Sequence, residues 1–91
     1  ILKENIQNIG GAIDTVKKLR PVSFDWKEDR ESAVGFIAQE VEEVMPYLVE
    51  GTEGRKGIKS TGILAQVTKA LQESIEKIEV LEKKVKKLQE V

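Results

Sequence analysis

The chain has no cysteine and no histidine among its 91 residues. That removes disulfides, thiolate nucleophiles, Cys/His zinc sites and imidazole-based triads together. Any catalysis must run on lysine amines, Ser/Thr hydroxyls or carboxylates. Gln39-Glu40 sits where a strand pattern turns into a helix pattern, a place where backbone amides and polar side chains can converge on a reacting carbonyl. The plainer reading, a helix-start glutamate favoured by the dipole, is preferred. Glu40, Glu42 and Glu43 lack the ligand run of an EF-hand loop, so they read as a solvated helix face and no metal is expected. Lys83, Lys84, Lys86 and Lys87 cluster where a helix end prefers cations, and no aromatic residue interleaves for base stacking, so nucleic acid is not an expected partner. Gly51, Gly54 and Gly57 flank Arg55-Lys56, but the Gly-Lys-Ser/Thr ending of a phosphate loop is missing. No cofactor is expected.

The bulk numbers point the same way. Fifteen basic and 16 acidic residues leave a net charge of −1, so no whole-domain field draws the chain to a polyanion or an anionic membrane. No apolar run approaches the roughly 20 residues that cross a bilayer, and no membrane partner is expected. A chain of this length is one small domain, and small domains bury a modest share of their surface, so oligomerisation is a common supplement.

The elements that would position these residues follow from periodicity. Residues 2–9, with Leu2, Ile6 and Ile9, suggest a short strand or extended arm that ends at Gly10-Gly11. Ala12, Ile13, Val16 and Leu19 repeat at helical steps with Lys17, Lys18 and Arg20 near the end, a helix of about two turns closed by Pro21. Residues 22–26 alternate apolar and polar, a charged stretch follows at 27–32, and residues 33–38 resume as a strand, together an antiparallel hairpin. Val41, Val44 and Met45 predict a short helix over 39–45, stopped by Pro46. Residues 51–57 read as a charged loop. Trp26 with Phe24 reads as core or as oligomer interface.

The strongest pattern lies beyond. With Leu64 at position a, the a positions are Leu64, Leu71, Ile78 and Val85, and the d positions are Val67, Ser74, Leu81 and Leu88. Seven of these eight are apolar, and a repeat of 3.5 sustained over nearly four heptads is the condition for left-handed supercoiling. The helix would be roughly 40 Å long, more than a domain of this size needs for itself. Glu73/Lys77, Glu79/Lys83 and Glu82/Lys86 are spaced i,i+4 with the acid first, which supports the helix. Between parallel copies, Lys77 at g meets Glu82 at e. Ile63 and Ala70 at g and Ile75 at e widen the stripe, which favours more than two strands. The expected architecture is therefore α+β: a strand/helix head over residues 1–59, then a helix over 60–91 forming a parallel trimeric coiled coil. A solitary helix packed on its own head is the plainer alternative.

Three strings stand in order along the first half: Leu2-Lys3-Glu4-Asn5-Ile6, then Leu19-Arg20-Pro21-Val22-Ser23-Phe24-Asp25-Trp26-Lys27, then Gly35-Phe36-Ile37-Ala38-Gln39-Glu40-Val41 followed by Val44, Met45 and Pro46. With the helical tail, they resemble the intramolecular chaperone domain at the C-terminus of phage tailspikes and tail fibres, the peptidase S74 or endosialidase-chaperone family. The resemblance implies a module made fused to a β-rich fibre, which trimerises it, holds its chains in register and then cuts itself off. The client would be the upstream fibre of the same polypeptide. Assembly would take place in the host cytoplasm, and the module would be removed from the mature fibre.

The resemblance also implies a site. Cleavage in the family is attributed to a Ser-Lys pair in a Ser-Asp-x-x-Leu-Lys motif, with the Ser just after the scissile bond. Leu2-Lys3 matches the end of that motif, which makes Lys3 the candidate general base. The nucleophilic Ser would stand three residues before Ile1 and is not in the sequence. As written, the chain is expected not to cleave itself and reads as a released product or a piece begun past the site. Without the resemblance, Lys3 reads as a solvated surface lysine. Two other readings remain: a permanent coiled-coil oligomerisation domain with no cleavage, and the related domain of a self-cleaving, membrane-tethered transcription factor.

Overall fold

The computed structural model describes residues 2–52 and 55–90. It is α+β, in the order α1 (Ala12–Lys17), β1 (Val22–Asp25), β2 (Ser32–Gly35), α2 (Ala38–Val44), a 3-10 turn (Pro46–Leu48), β3 (Val49–Glu50), β4 (Gly57–Ile58) and α3 (Ser60–Gln89). The small elements form a head on the first half of α3, and the second half extends beyond it, giving overall dimensions of 62 × 38 × 23 Å.

Helix α1 starts where Gly11 takes a left-handed φ of 65°, a conformation glycine enters without the Cβ penalty. It closes as Leu19 N–H bonds to the Val16 carbonyl at 3.0 Å, just before Pro21 disfavours helical geometry at Arg20. The hairpin pairs Val22 with Gly35 and Phe24 with Ala33, so these four half-buried residues share one face while Val34 stands 84% exposed on the other. Its turn is held by the Trp26 N–H bonded to the Glu31 carbonyl at 3.0 Å, and Ser32 Oγ donates to Asp25 Oδ1 at 2.7 Å. The Phe24 and Trp26 rings meet edge to face, 5.0 Å apart.

The core is Val41 from α2, Met45 at its C-cap, Leu48 from the 3-10 turn and Ile63 from α3, flanked by Leu19, Phe36, Val44, Val49 and Ile58. Pro46 stops α2 and turns the chain so that Leu48 lies under α3. The two elements meet at Gly62, where a Cβ would overlap the Leu48 side chain. Glycine sits inside a helix here because the packing distance, not the turn, requires it.

Several sequence expectations change in detail. The arm at 2–10 forms no strand. Strand β2 ends at Gly35, three residues short of the expected end, because Ala38 already belongs to α2. The expected loop is partly ordered by a two-residue ladder, Val49 opposite Ile58 and Glu50 opposite Gly57. Gly51, at φ 101°, makes that turn with no room for a Cβ beside the Arg55 carbonyl. Gly54, expected in the same loop, lies outside the described residues, as do Ile1 and Val91.

Candidate assembly surface and the N-terminal arm

The first half of α3 has two occupied faces and one free one. Ile63 and Ala70 are buried, at 6% and 7% exposure; the amide of Gln66 donates to the Tyr47 hydroxyl at 3.0 Å; and Glu73 Oε1 accepts from the Ala12 N–H at 3.0 Å. These positions face the head. Successive helical residues turn by about 100°, which sets this face about a quarter turn from the centre of the a/d seam. On another flank, Gln7, Asn8 and Ile9 of the arm share a shallow groove with Ala65, Thr68 and Gln72.

Among the described residues the seam stays largely uncovered, although Leu64 also borders the groove shared with the arm. Leu64, Val67, Leu71, Ile78, Leu81, Val85 and Leu88 are 39 to 76% exposed. Ser74, half-buried at the margin of the seam, turns its hydroxyl back to the Ala70 carbonyl at 2.8 Å, so the gap in the apolar row does not offer a free donor. A mostly apolar strip along a charged, extended helix, interrupted only at Ser74, is a candidate surface for contact with another molecule.

Two sequence expectations about this helix need correction. Ile63 and Ala70 do not widen the free stripe, because the head of the same chain buries them; of the three flanking residues only Ile75, 45% exposed, remains available to another copy. The i,i+4 pairs are also not closed. Among the described residues the closed ion pairs are Arg20–Glu40, Lys56–Glu42 and Lys59–Glu50, and Glu73 is engaged with the Ala12 backbone instead.

Two of the three acidic residues of α2, Glu40 and Glu42, are structural partners, while Glu43 stays on the solvated face. Glu40, in the first turn of α2, receives both Arg20 Nε at 2.9 Å and Arg20 Nη2 at 2.5 Å. The hydrogen bond from Arg20, supported by its charge and opposed by partial desolvation, holds the Glu40 carboxyl below the ordinary carboxylate range. The same hydrogen bond and charge raise Arg20. Glu42 accepts from Lys56 Nζ at 2.6 Å. Arg20 and Glu40 belong to the second and third sequence strings, so one fork-shaped contact joins the end of α1 to the start of α2. No spacing rule reveals it, because the partners are 20 residues apart on different elements.

Lys3 lies exposed on the arm beside Leu2 and near Ile6, itself 73% exposed. Among the described residues it makes no hydrogen bond or ion pair, and Gln39-Glu40 is committed elsewhere through Glu40. Trp26, expected in a core or an interface, is 56% exposed and borders an open groove with Phe36, Ile37 and Ile58.

Against known proteins, the family model described as the chaperone of endosialidase matches residues 2–50. The chain is 34% identical over 93 aligned residues to the long tail fiber protein Gp37 of Enterobacteria phage K3 and, to the same extent, to that of Enterobacteria phage T2, covering 97% of this chain and 7% of each relative. It is 33% identical over 90 residues to Gp37 of Salmonella phage S16, covering 94% of this chain and 12% of that protein. The chain thus spans a small fraction of the length of these relatives.

Proposed function

The chain belongs to the chaperone-of-endosialidase family, and from that premise we propose that it is the assembly and folding module of a phage tail fibre or tailspike. Three copies join in parallel through α3, align the upstream fibre chains while they fold, and are then released by self-cleavage at the N-terminal side of the module.

The observation that carries the assembly step is the free seam. The head docks a quarter turn away from it, so a folded monomer presents most of the apolar strip, interrupted at Ser74, to other copies. Leu64 and Leu71 at a with Val67 at d reverse the arrangement that two strands prefer, which supports three. Ile78 and Val85 at a with Leu81 and Leu88 at d also suit two strands, so strand number rests on the half of the seam next to the head and on the family.

The physical logic of the client supports the same reading. Intertwined β fibres depend on non-local, interchain pairing, which is slow and open to register error because closure entropy precedes the reward. A coiled coil forms from local contacts and can align the chains first, raising the effective concentration of the tethered segments to roughly the millimolar range. Release after folding leaves the fibre kinetically trapped. In this reading Lys3 is the amine that takes the proton of the upstream Ser, and the setting occurs in the host cytoplasm during virion assembly.

Sedimentation equilibrium tests the assembly step. The chain is expected at three times its 10.2 kDa mass, and Leu71→Asp with Leu81→Asp, which place charge in the seam at a penalty of several kcal/mol over the assembly, should return it to monomer with the head still folded. A wild-type chain that sediments as a monomer would overturn the proposal. A permanent coiled-coil oligomerisation domain shares the seam and differs only in the fate of the fusion, which the Lys3 experiment below decides.

A further inference from the structure

In a parallel coiled coil, the g residue of one helix lies beside the e residue of the following heptad on its neighbour. In α3 this pairs Ile63 with Thr68, Ala70 with Ile75 and Lys77 with Glu82 of the neighbouring copy. The last pair is an ordinary charged contact. The first two are not, because Ile63 and Ala70 are already buried by the head of their own chain.

What covers the second g position is placed by two observations. Ala12 of α1 is 0% exposed, and its N–H is bonded to Glu73, three residues after Ala70. Helix α1 therefore lies against α3 about one helical turn from Ala70, and the buried residues there, Ala12 and Ala70, are both small. On either flank of α1, Ile13 and Thr15 are only half-buried. Ile75, the apolar e residue that must approach Ala70 of the adjacent chain, is 45% exposed and has no place in the a/d row.

Resting on the parallel assembly proposed above, we infer that α1 is itself part of the interface between copies: Ile75 of each helix packs against the flank of the neighbouring copy's α1, so that each head is clamped between its own α3 and the next. The occupant of this surface is a second copy of the chain, and the contact is continuous with the seam. Its consequence is that the heads, not only the helices, are set in one register. Four residues of helix turn link Ile75 to the seam residue Leu71, so slipping the coil by a heptad would pull Ile75 off α1 and leave both exposed.

The native chain contains no cysteine, which allows a clean test. A size-tagged Ile75→Cys chain is refolded together with untagged Ile13→Cys chains or, separately, untagged Thr15→Cys chains, and treated with a short bismaleimide. A covalent pair of one tagged and one untagged chain is interchain by construction. We expect that mixed pair, from whichever flank of α1 faces the neighbour, in excess over pairs of two tagged chains. If neither flank yields it while sedimentation shows an intact oligomer, the α1 contact is overturned and the coil stands alone. Predominant linkage of tagged chains to each other would place Ile75 in the seam and overturn it equally. Monomers in sedimentation would remove the assembly itself, and the contact with it.

Discussion

Glu73 accepts, at Oε1, a hydrogen bond from the backbone N–H of Ala12, 3.0 Å away and 61 residues earlier in the chain. Helix α1 has six residues and Gly11 at its N-cap brings no side-chain acceptor. A helix this short does not sustain itself in water, and its first N–H groups have no internal partner. A carboxylate delivered from α3 satisfies one of them and favours the positive end of the helix dipole. The bond therefore does for α1 what a local cap does elsewhere, and it also fixes the head on the long helix.

Removing that carboxylate should loosen the head. Glu73→Ala is expected to destabilise the fold by about 0.5 to 2 kcal/mol, the range of a lost helix cap, with faster hydrogen exchange at the α1 amides. Glu73→Gln keeps an acceptor oxygen and should lose less. Thermal unfolding at one fixed protein concentration is the measurement, since an assembling chain melts in a concentration-dependent way. Equal losses for Gln and Ala would show that charge, not the hydrogen bond, holds α1.

The Arg20–Glu40 fork predicts an acid-side dependence. Glu40 is held below its ordinary value by the hydrogen bond from Arg20, so the folded state binds a proton there less readily than the unfolded one. Its stabilisation is fully present above the unfolded carboxylate value of about 4.3 and is lost as pH falls through the depressed folded value. Wild type should melt above Glu40→Gln at neutral pH, and the gap should close in strong acid. A gap that persists there would remove the ion pair as its cause.

Gly62 stands inside a helix, where alanine ordinarily improves stability by about 1 kcal/mol. Here a Cβ overlaps the buried Leu48, and overpacking a core costs about 1 to 3 kcal/mol. The net expectation for Gly62→Ala is a destabilisation of about 1 kcal/mol in chemical denaturation. Combining it with Leu48→Ala should recover part of the loss specific to the overlap, seen as coupling between the two substitutions.

Lys3 separates chemistry from scaffolding. In a fusion that carries a fibre and a Ser-Asp at the spacing of the family motif before Lys3, the proposed function expects one self-cleavage per chain, with no added protease, metal or cofactor. Lys3→Met keeps much of the side chain's length but removes the amine that would take the Ser proton. Cleavage, followed by denaturing gel, should fall by orders of magnitude while the uncut fusion still assembles. A fusion that cuts at the wild-type rate would take Lys3 out of the mechanism, and one that never cuts even as wild type would favour the permanent oligomerisation domain.

The amino-acid sequence by itself determined the main helices, the hairpin and the apolar row on the long helix, because these rest on local rules, but not the two-residue ladder of β3 and β4. Helical steps at Val41, Val44 and Met45, alternation over 22–26 and the heptads from Leu64 depend only on which residues fall on one face of a strand or helix. Gly11 and Pro21, bounding α1, act through their own backbone restrictions. The three strings were sufficient to name the family for the same reason: they are contiguous. The tertiary structure alone decided which flank of α3 the head occupies, and with it that Ile63 and Ala70 are spent inside the chain while Ile75 is not. Periodicity ranks those three residues alike, since it records the face of a helix and not what lies against it. The contacts from Glu73 to Ala12 and from Arg20 to Glu40 join elements far apart in the chain, where sequence separation carries no information about distance, and only packing brings them within a hydrogen bond.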